Sequence, residues 1–130
     1  MLAMSPPVVI TGVDHVQITV AKADEAAARR FYCEVLGLPE VEKPDALKPR
    51  GGFWLRVGDR QVHVGVEEGV ARAATKAHVA YRVLGLAAWR EKLLASGVEI
   101  FESVAISGYE RFEFRDPFGN RVELIEPVVR

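Results

Sequence analysis

Cysteine is almost missing from this chain: Cys33 is the only one in 130 residues. No disulfide can form within one chain, and a reducing cytoplasm is the expected compartment. Cys33 itself reads as an unreactive thiol on a helix. Long apolar runs are missing as well. No segment approaches the roughly 20 apolar residues that span a bilayer, so no membrane partner is expected. Met1-Leu2-Ala3-Met4-Ser5-Pro6-Pro7 carries neither a basic leader nor a long apolar stretch, and residues 1–12 are expected to be an uncleaved tail. Charge of one sign is also lacking: 17 Lys and Arg stand against 18 Asp and Glu, a formal net charge of -1. With both signs mixed along the chain there is no basic stripe to track a phosphate backbone, and nucleic acid is not an expected partner.

What is abundant is apolar side chain, 49% of the residues. In a chain of this length that supports one core, burying roughly two-thirds of the unfolded surface, so residues 13–130 are expected to form a single domain. Residues 13–20 alternate, with Val16, Ile18 and Val20 on one face and His15, Gln17 and Thr19 on the other, the period of a half-buried strand. A helix follows. Asp24 suits its N-cap, Ala28, Phe31, Tyr32 and Val35 share a stripe, and Gly37 stands where a left-handed cap belongs. Leu38-Pro39-Glu40-Val41 leads into a polar, proline-punctuated loop that runs to Gly52. Strands over residues 53–57 and 61–66 then form a hairpin across Gly58-Asp59.

After a linker over residues 68–76 the same grammar restarts. Residues 78–83 alternate as a strand, Leu86, Trp89, Leu93 and Leu94 form the stripe of a second helix, and Gly97 closes it as Gly37 closed the first. A short strand over residues 98–101 precedes a final hairpin, residues 111–115 with 121–126. Its Asp116-Pro117-Phe118-Gly119-Asn120 connection reads as a structural turn. Module one is thus residues 13–67 and module two residues 77–126. Superposing their strands sets His15 against His78 and His63 against Glu123. All three histidines and one carboxylate occupy the two equivalent positions of the repeat.

In each of these strands the neighbours of the candidate residue are Val, Ile or Leu, and the helices need that apolar face. By alternation His15, His63, His78 and Glu123 point the other way, with Gln17, Trp54, Arg56, Arg82, Arg111 and Glu113. Sheets curling around one cavity would make the four converge. Imidazole with carboxylate suits Zn, Fe, Mn, Co or Ni, and two His with one carboxylate leave positions open for substrate or oxygen. A single histidine on a polar strand face is usually only solvated or hydrogen-bonded; placement by the repeat is what favours ligation. Trp54 and Tyr109 are candidates to line a pocket. Arg56, Arg82 and Arg111 suit an anionic group, or else pair with Glu113 or Glu67.

The motifs Asp14-His15-Val16, Phe31-Tyr32 through Leu36-Gly37-Leu38, Ala77-His78-Val79 and Asp116-Pro117-Phe118-Gly119-Asn120-Arg121-Val122-Glu123-Leu124 resemble those of the glyoxalase/bleomycin resistance/extradiol dioxygenase (vicinal oxygen chelate) superfamily, from Val13 to Glu126. The resemblance implies an α+β fold of two tandem βαβββ modules forming a cup-shaped, partly open mixed sheet with helices on the outer face. It implies a divalent metal (Zn, Fe, Mn, Ni or Co) on His15, His63, His78 and Glu123. The triad His15, His78 and Glu123 resembles the set of extradiol dioxygenases and fosfomycin-resistance enzymes, whereas His63 stands where glyoxalase I supplies a glutamate.

The function so implied is a metal-dependent lyase, isomerase, transferase or dioxygenase acting on a small oxygen-rich or anionic substrate, with the cation as Lewis acid. Glu123 or His63 is its candidate proton carrier, and Trp54, Arg56, Tyr109 and Arg111 line its substrate pocket. A homodimer is expected. The alternative is a metal-free protein of the bleomycin-resistance type that sequesters a planar or anionic small molecule between Trp54, Tyr109 and the arginines.

Overall fold

The computed structural model describes residues 4–128. Residues 1–3 of the expected tail and 129–130 of the expected domain lie outside the described residues. Strand β1 (His15–Val20) leads through a 3-10 turn into helix α1 (Glu25–Arg30), which widens into a π turn over Phe31–Val35. Asp24 holds the N-cap position of α1 but makes no side-chain cap bond, because its backbone is already helical at φ -96 and ψ 0. Next come β2 (Glu40–Val41), a 3-10 stretch Asp45–Arg50, β3 (Phe53–Val57) and β4 (Arg60–Val66). The second module repeats the order with β5 (His78–Arg82), α2 (Leu86–Ala95), β6 (Ile100–Glu102), β7 (Tyr109–Arg115) and β8 (Arg121–Pro127).

Two four-stranded sheets result, in the orders β1-β4-β3-β2 and β5-β8-β7-β6. In each, the first strand pairs parallel with the last and the final hairpin is antiparallel. The chain therefore has the expected α+β class, two βαβββ modules with open mixed sheets. The short β2 and the 3-10 stretch fall inside what the sequence reads as one loop, since neither has a hydrophobic period long enough to register.

One core takes the apolar face of both sheets. Val20, Tyr32, Phe53, Leu55 and Val64 of the first module join Phe112, Phe114, Val122 and Leu124 of the second. Phe31 meets Phe114 edge-on with ring centroids 6.3 Å apart, so the π turn of module one packs toward the hairpin of module two. The α2 stripe is narrower than expected. Leu86 and Leu93 are buried while Leu94 is 54% exposed, because one residue further along a helix turns about 100° away from the stripe.

The turn between β7 and β8 does more than reverse the chain. Asp116 accepts hydrogen bonds from the Phe118 and Asn120 amides, and Asn120 Nδ2 donates both to Asp116 Oδ2 and to the Thr19 carbonyl of β1. It thus fastens the second module to an outer strand of the first. Among the described residues no helix is long and apolar enough to cross a membrane.

Candidate metal centre

With the apolar faces committed to the core, the opposite face of each sheet carries the polar set. In module one, β1, β4 and β3 are neighbours, and His15, His63 and Trp54 stand in a row across them. Ring centroids are 4.1 Å apart between His15 and His63, and 3.8 Å between His63 and Trp54, with planes 20° and 1° from parallel. His63 is only 6% exposed, and its Nε2 lies 2.9 Å from Gln61 Oε1. Burial, and next the neighbouring His15, push its pKa below the usual histidine value. His15 Nδ1 lies 2.9 Å from Asp14 Oδ1, a bond that holds the Asp14 carboxyl below its usual range and leaves His15 Nε2 without a hydrogen-bond partner among the described residues. A cavity of 540 Å³ opens over this row, lined by the three rings, Lys43 and Arg50 among others.

Module two uses the same positions for charge. His78 Nδ1 lies 3.0 Å from the Lys76 carbonyl oxygen, and its Nε2 lies 3.3 Å from Glu123 Oε1. Glu113 sits directly opposite Glu123 on the β7–β8 ladder. Two carboxylates so placed repel, and two arginines offset them. Arg111 Nη1 is 3.2 Å from Glu123 Oε1 and 3.9 Å from Glu113 Oε1, while Arg121 Nη2 is 2.7 Å and 2.8 Å from the two oxygens of Glu113. One ligand atom each from His78, Glu113 and Glu123 lie within 4.8 Å of one another. One imidazole and two carboxylates within that reach of one another suit a divalent cation.

The structure thus distributes the expected ligands over two clusters. His78 and Glu123 come together, and Glu113 joins them. His15 and His63 come together with Trp54. Among the described residues of one chain, the first cluster alone forms a metal-sized group of three. Tyr109 and Arg111 line a separate cavity of 410 Å³ beside module two, and Arg56 is exposed. Of the two readings open for Arg111, pairing is what the side chain does: Glu123 and the Val104 carbonyl take its N–H groups.

Glu113 is the site residue that sequence reasoning passed over, although it shares the polar face. The signal for it was present. Trp54 opposes His63 in module one as Glu113 opposes Glu123 in module two, so extending the repeat by one strand marks Glu113 as the partner of an already suspected position.

Paired βαβββ modules, each with an open mixed sheet, and a histidine–carboxylate cluster on the polar face of the second define a protein of the two-module βαβββ class. The Glyoxalase/Bleomycin resistance protein/Dioxygenase superfamily model matches residues 12–124, and the chain belongs to that superfamily. No curated protein sequence matches it. Among solved structures, a protein from Bacillus anthracis described as a glyoxalase family member is 38% identical, with a TM-score of 0.86 over 95% of this chain and 100% of that one. FosX from Listeria monocytogenes, a genomically encoded fosfomycin resistance protein solved with Mn(II) and sulfate, is 17% identical with a TM-score of 0.73, covering 93% of this chain and 94% of that one. A virulence protein from Salmonella typhimurium is 24% identical with a TM-score of 0.69, covering 93% and 100%. The last two are likenesses of fold.

Proposed function

We propose that this chain is a divalent-metal-dependent enzyme acting on a small oxygen-rich substrate, with His78 and Glu123 of one copy and His15 of a second copy as metal ligands in a homodimer. The observation that carries this reading is the matched state of the two repeat-related histidines. In both His15 and His78, Nδ1 is tied to an oxygen one or two residues upstream, which orients the ring and leaves Nε2 to donate. Metal-ligating imidazoles are held in this way, with the outer nitrogen on a carboxylate or a backbone carbonyl. FosX, of the same fold, was solved with Mn(II), which supports a divalent ion at this donor set.

A second copy is favoured by the outer strands. β1 and β5 each lie at the edge of their sheet. The groove between them is lined by Val16, Ile18, Val70 and Val79 beside His78, with Val16 36% and Val70 41% exposed. Unpaired edges bordered by apolar surface are where chains associate. Bound at this centre, the cation would supply Lewis acidity to a substrate oxygen, worth several kcal/mol in the transition state. Arg111 holds the Glu123 carboxylate in place, and Glu113 brings a further carboxylate within ligand distance. His63, covered on both faces by His15 and Trp54, serves in this reading to fix the His15 ring.

The competing reading, a metal-free binder, draws on the cavity over the His15–His63–Trp54 row. Replacing His78 with Ala in chelator-stripped, untagged protein separates the two. A metalloenzyme loses metal uptake and turnover together, whereas a binder keeps its ligand affinity through both chelation and substitution.

A further inference from the structure

The arginines beside the candidate metal are already occupied, which decides where an anionic substrate group can go. Arg111 spends its N–H groups on Glu123 and on the Val104 carbonyl. Arg121 spends its own on Glu113 and the Lys76 carbonyl. An incoming carboxylate or phosphonate would have to displace a built-in carboxylate to reach either guanidinium, at the cost of leaving that carboxylate buried and unpaired.

Module one offers the opposite situation. Its 540 Å³ cavity is lined by Lys43 and Arg50 at one side and by the His15–His63–Trp54 row at another. Among the described residues Arg50 makes no ion pair, and Lys43 donates only to the Gly51 carbonyl, at 2.5 Å. Neighbouring Lys48, by contrast, is taken by Glu42 and Asp45. Among the described residues Asp14 is the one carboxylate lining the cavity, and His15 holds it. The segment that presents the two cations is fastened down at its far end, where Gly52 N–H donates to Glu25 and a Cβ on Gly52 would lie 2.2 Å from the Val64 carbonyl oxygen. The cations are therefore carried on an anchored loop beside a row of stacked rings that ends in Trp54.

We propose that this cavity is a subsite for the anionic end of the substrate, a flat group bearing a carboxylate, phosphate or phosphonate, with Arg50 and Lys43 supplying the charge and Trp54 lining the site. It rests on the metal reading above through His15, the end ring of the row, which lines this cavity and offers its Nε2 to the metal. A substrate of this class chelates at one end and is anchored electrostatically at the other. Specificity for the anionic end then resides in module one, and chelation resides at the centre that His15 shares with His78 and Glu123 of the other copy.

The test uses the full chain without metal, so that it stands apart from the metal question. With Trp89 replaced by Phe, Trp54 is the only tryptophan and its fluorescence reports the cavity. Phenylphosphonate is titrated into this chelator-stripped protein, with inorganic phosphate as the arm that lacks the flat group. Saturable quenching is expected, stronger for phenylphosphonate, with the midpoint raised about tenfold or more by Arg50→Gln. Arg30→Gln on α1, an exposed arginine outside the cavity, controls for net charge and should leave the midpoint unchanged. Equal midpoints for Arg50→Gln and Arg30→Gln overturn the proposal. So does quenching that appears only after metal is added and disappears in His78→Ala, since the anion then sits on the metal. Protein that takes up metal but shows no quenching loses the subsite and keeps the metal centre. Protein that binds phenylphosphonate but no metal keeps the subsite and loses the metal reading.

Discussion

Tyr32 Oη donates a hydrogen bond of 2.6 Å to Asp116 Oδ2, and the two residues lie 84 positions apart in the chain. Tyr32 is 0% and Asp116 4% exposed. The bond joins the π turn after α1 to the turn between β7 and β8, so one buried contact ties the modules together. A hydrogen bond to a charged group in such a place contributes about 1.5–3 kcal/mol, and Tyr32→Phe should destabilise the chain by that amount in urea denaturation at neutral pH. Burial raises the Asp116 pKa, and the Tyr32 bond is the largest influence opposing that rise. A carboxyl with a raised folded-state pKa contributes stability at low pH that is lost as pH rises through that value. Without Tyr32 the rise is steeper, so the gap between wild type and Tyr32→Phe should narrow on acidification. A gap independent of pH would show that Asp116 does not depend on Tyr32.

His63 gives a pH dependence of its own. Its pKa is lowered by burial and by His15, so the folded chain keeps it neutral where the unfolded chain already takes up a proton. For a base shifted downward, stability is complete above the ordinary histidine value and falls as pH drops below it. The metal-free protein should therefore lose stability as the pH falls below the ordinary histidine value, and His63→Phe, which keeps a flat ring in the row, should lose less over the same range. Equal slopes for the two proteins would remove His63 as the source.

Gly52 and Gly58 both have positive φ, +82 and +59, but a Cβ on Gly52 would meet the Val64 carbonyl oxygen at 2.2 Å while one on Gly58 meets nothing within 4 Å. Gly58→Ala should cost only the left-handed penalty of about 1–2 kcal/mol. Gly52→Ala should cost about 3 kcal/mol or more, because β3 has to move off β4 to accept it. Chemical denaturation of the two variants checks the order. A Gly52→Ala protein as stable as Gly58→Ala would mean that the loop carrying Lys43 and Arg50 is not held against β4.

Sharing of the site between copies has a genetic-style test. If His15 of one copy completes the centre of another, His15→Ala and His78→Ala proteins should each fail to hold metal. Unfolded together and refolded as a mixture, they should regain metal in about a quarter of their sites, since about half the dimers are mixed and each mixed dimer has one intact centre. No recovery on mixing two empty variants would place all the ligands, His15 included, within one chain, and a His15→Ala protein that still holds metal would give Glu113 the position proposed for His15.

Much of this was legible in the sequence because alternation is a strong signal. Val16, Ile18 and Val20 against His15 and Gln17, and Val62 and Val64 against His63, assign each side chain to a face, and the repeat then matches those faces between modules. A face does not say which other face it meets. The pattern put His15, His63, His78 and Glu123 on polar surfaces but carried no information on their division into a ring cluster and a charged cluster, which depends on how two modules pack through Phe31, Tyr32 and Phe114. Arg111 is a similar case. Alternation placed it correctly, while its engagement by Glu123 and Val104 is a matter of register and loop position. The π turn after α1 was also hidden, since Ala28, Phe31, Tyr32 and Val35 fit an ordinary helical stripe equally well.

The most direct test of the account is the metal content of untagged protein, stripped with chelator and then offered Mn, Fe, Zn, Co or Ni in turn. The account predicts about one equivalent per chain of at least one of these ions, lost in both His78→Ala and Glu123→Gln. Less than about a tenth of an equivalent with every ion would contradict it.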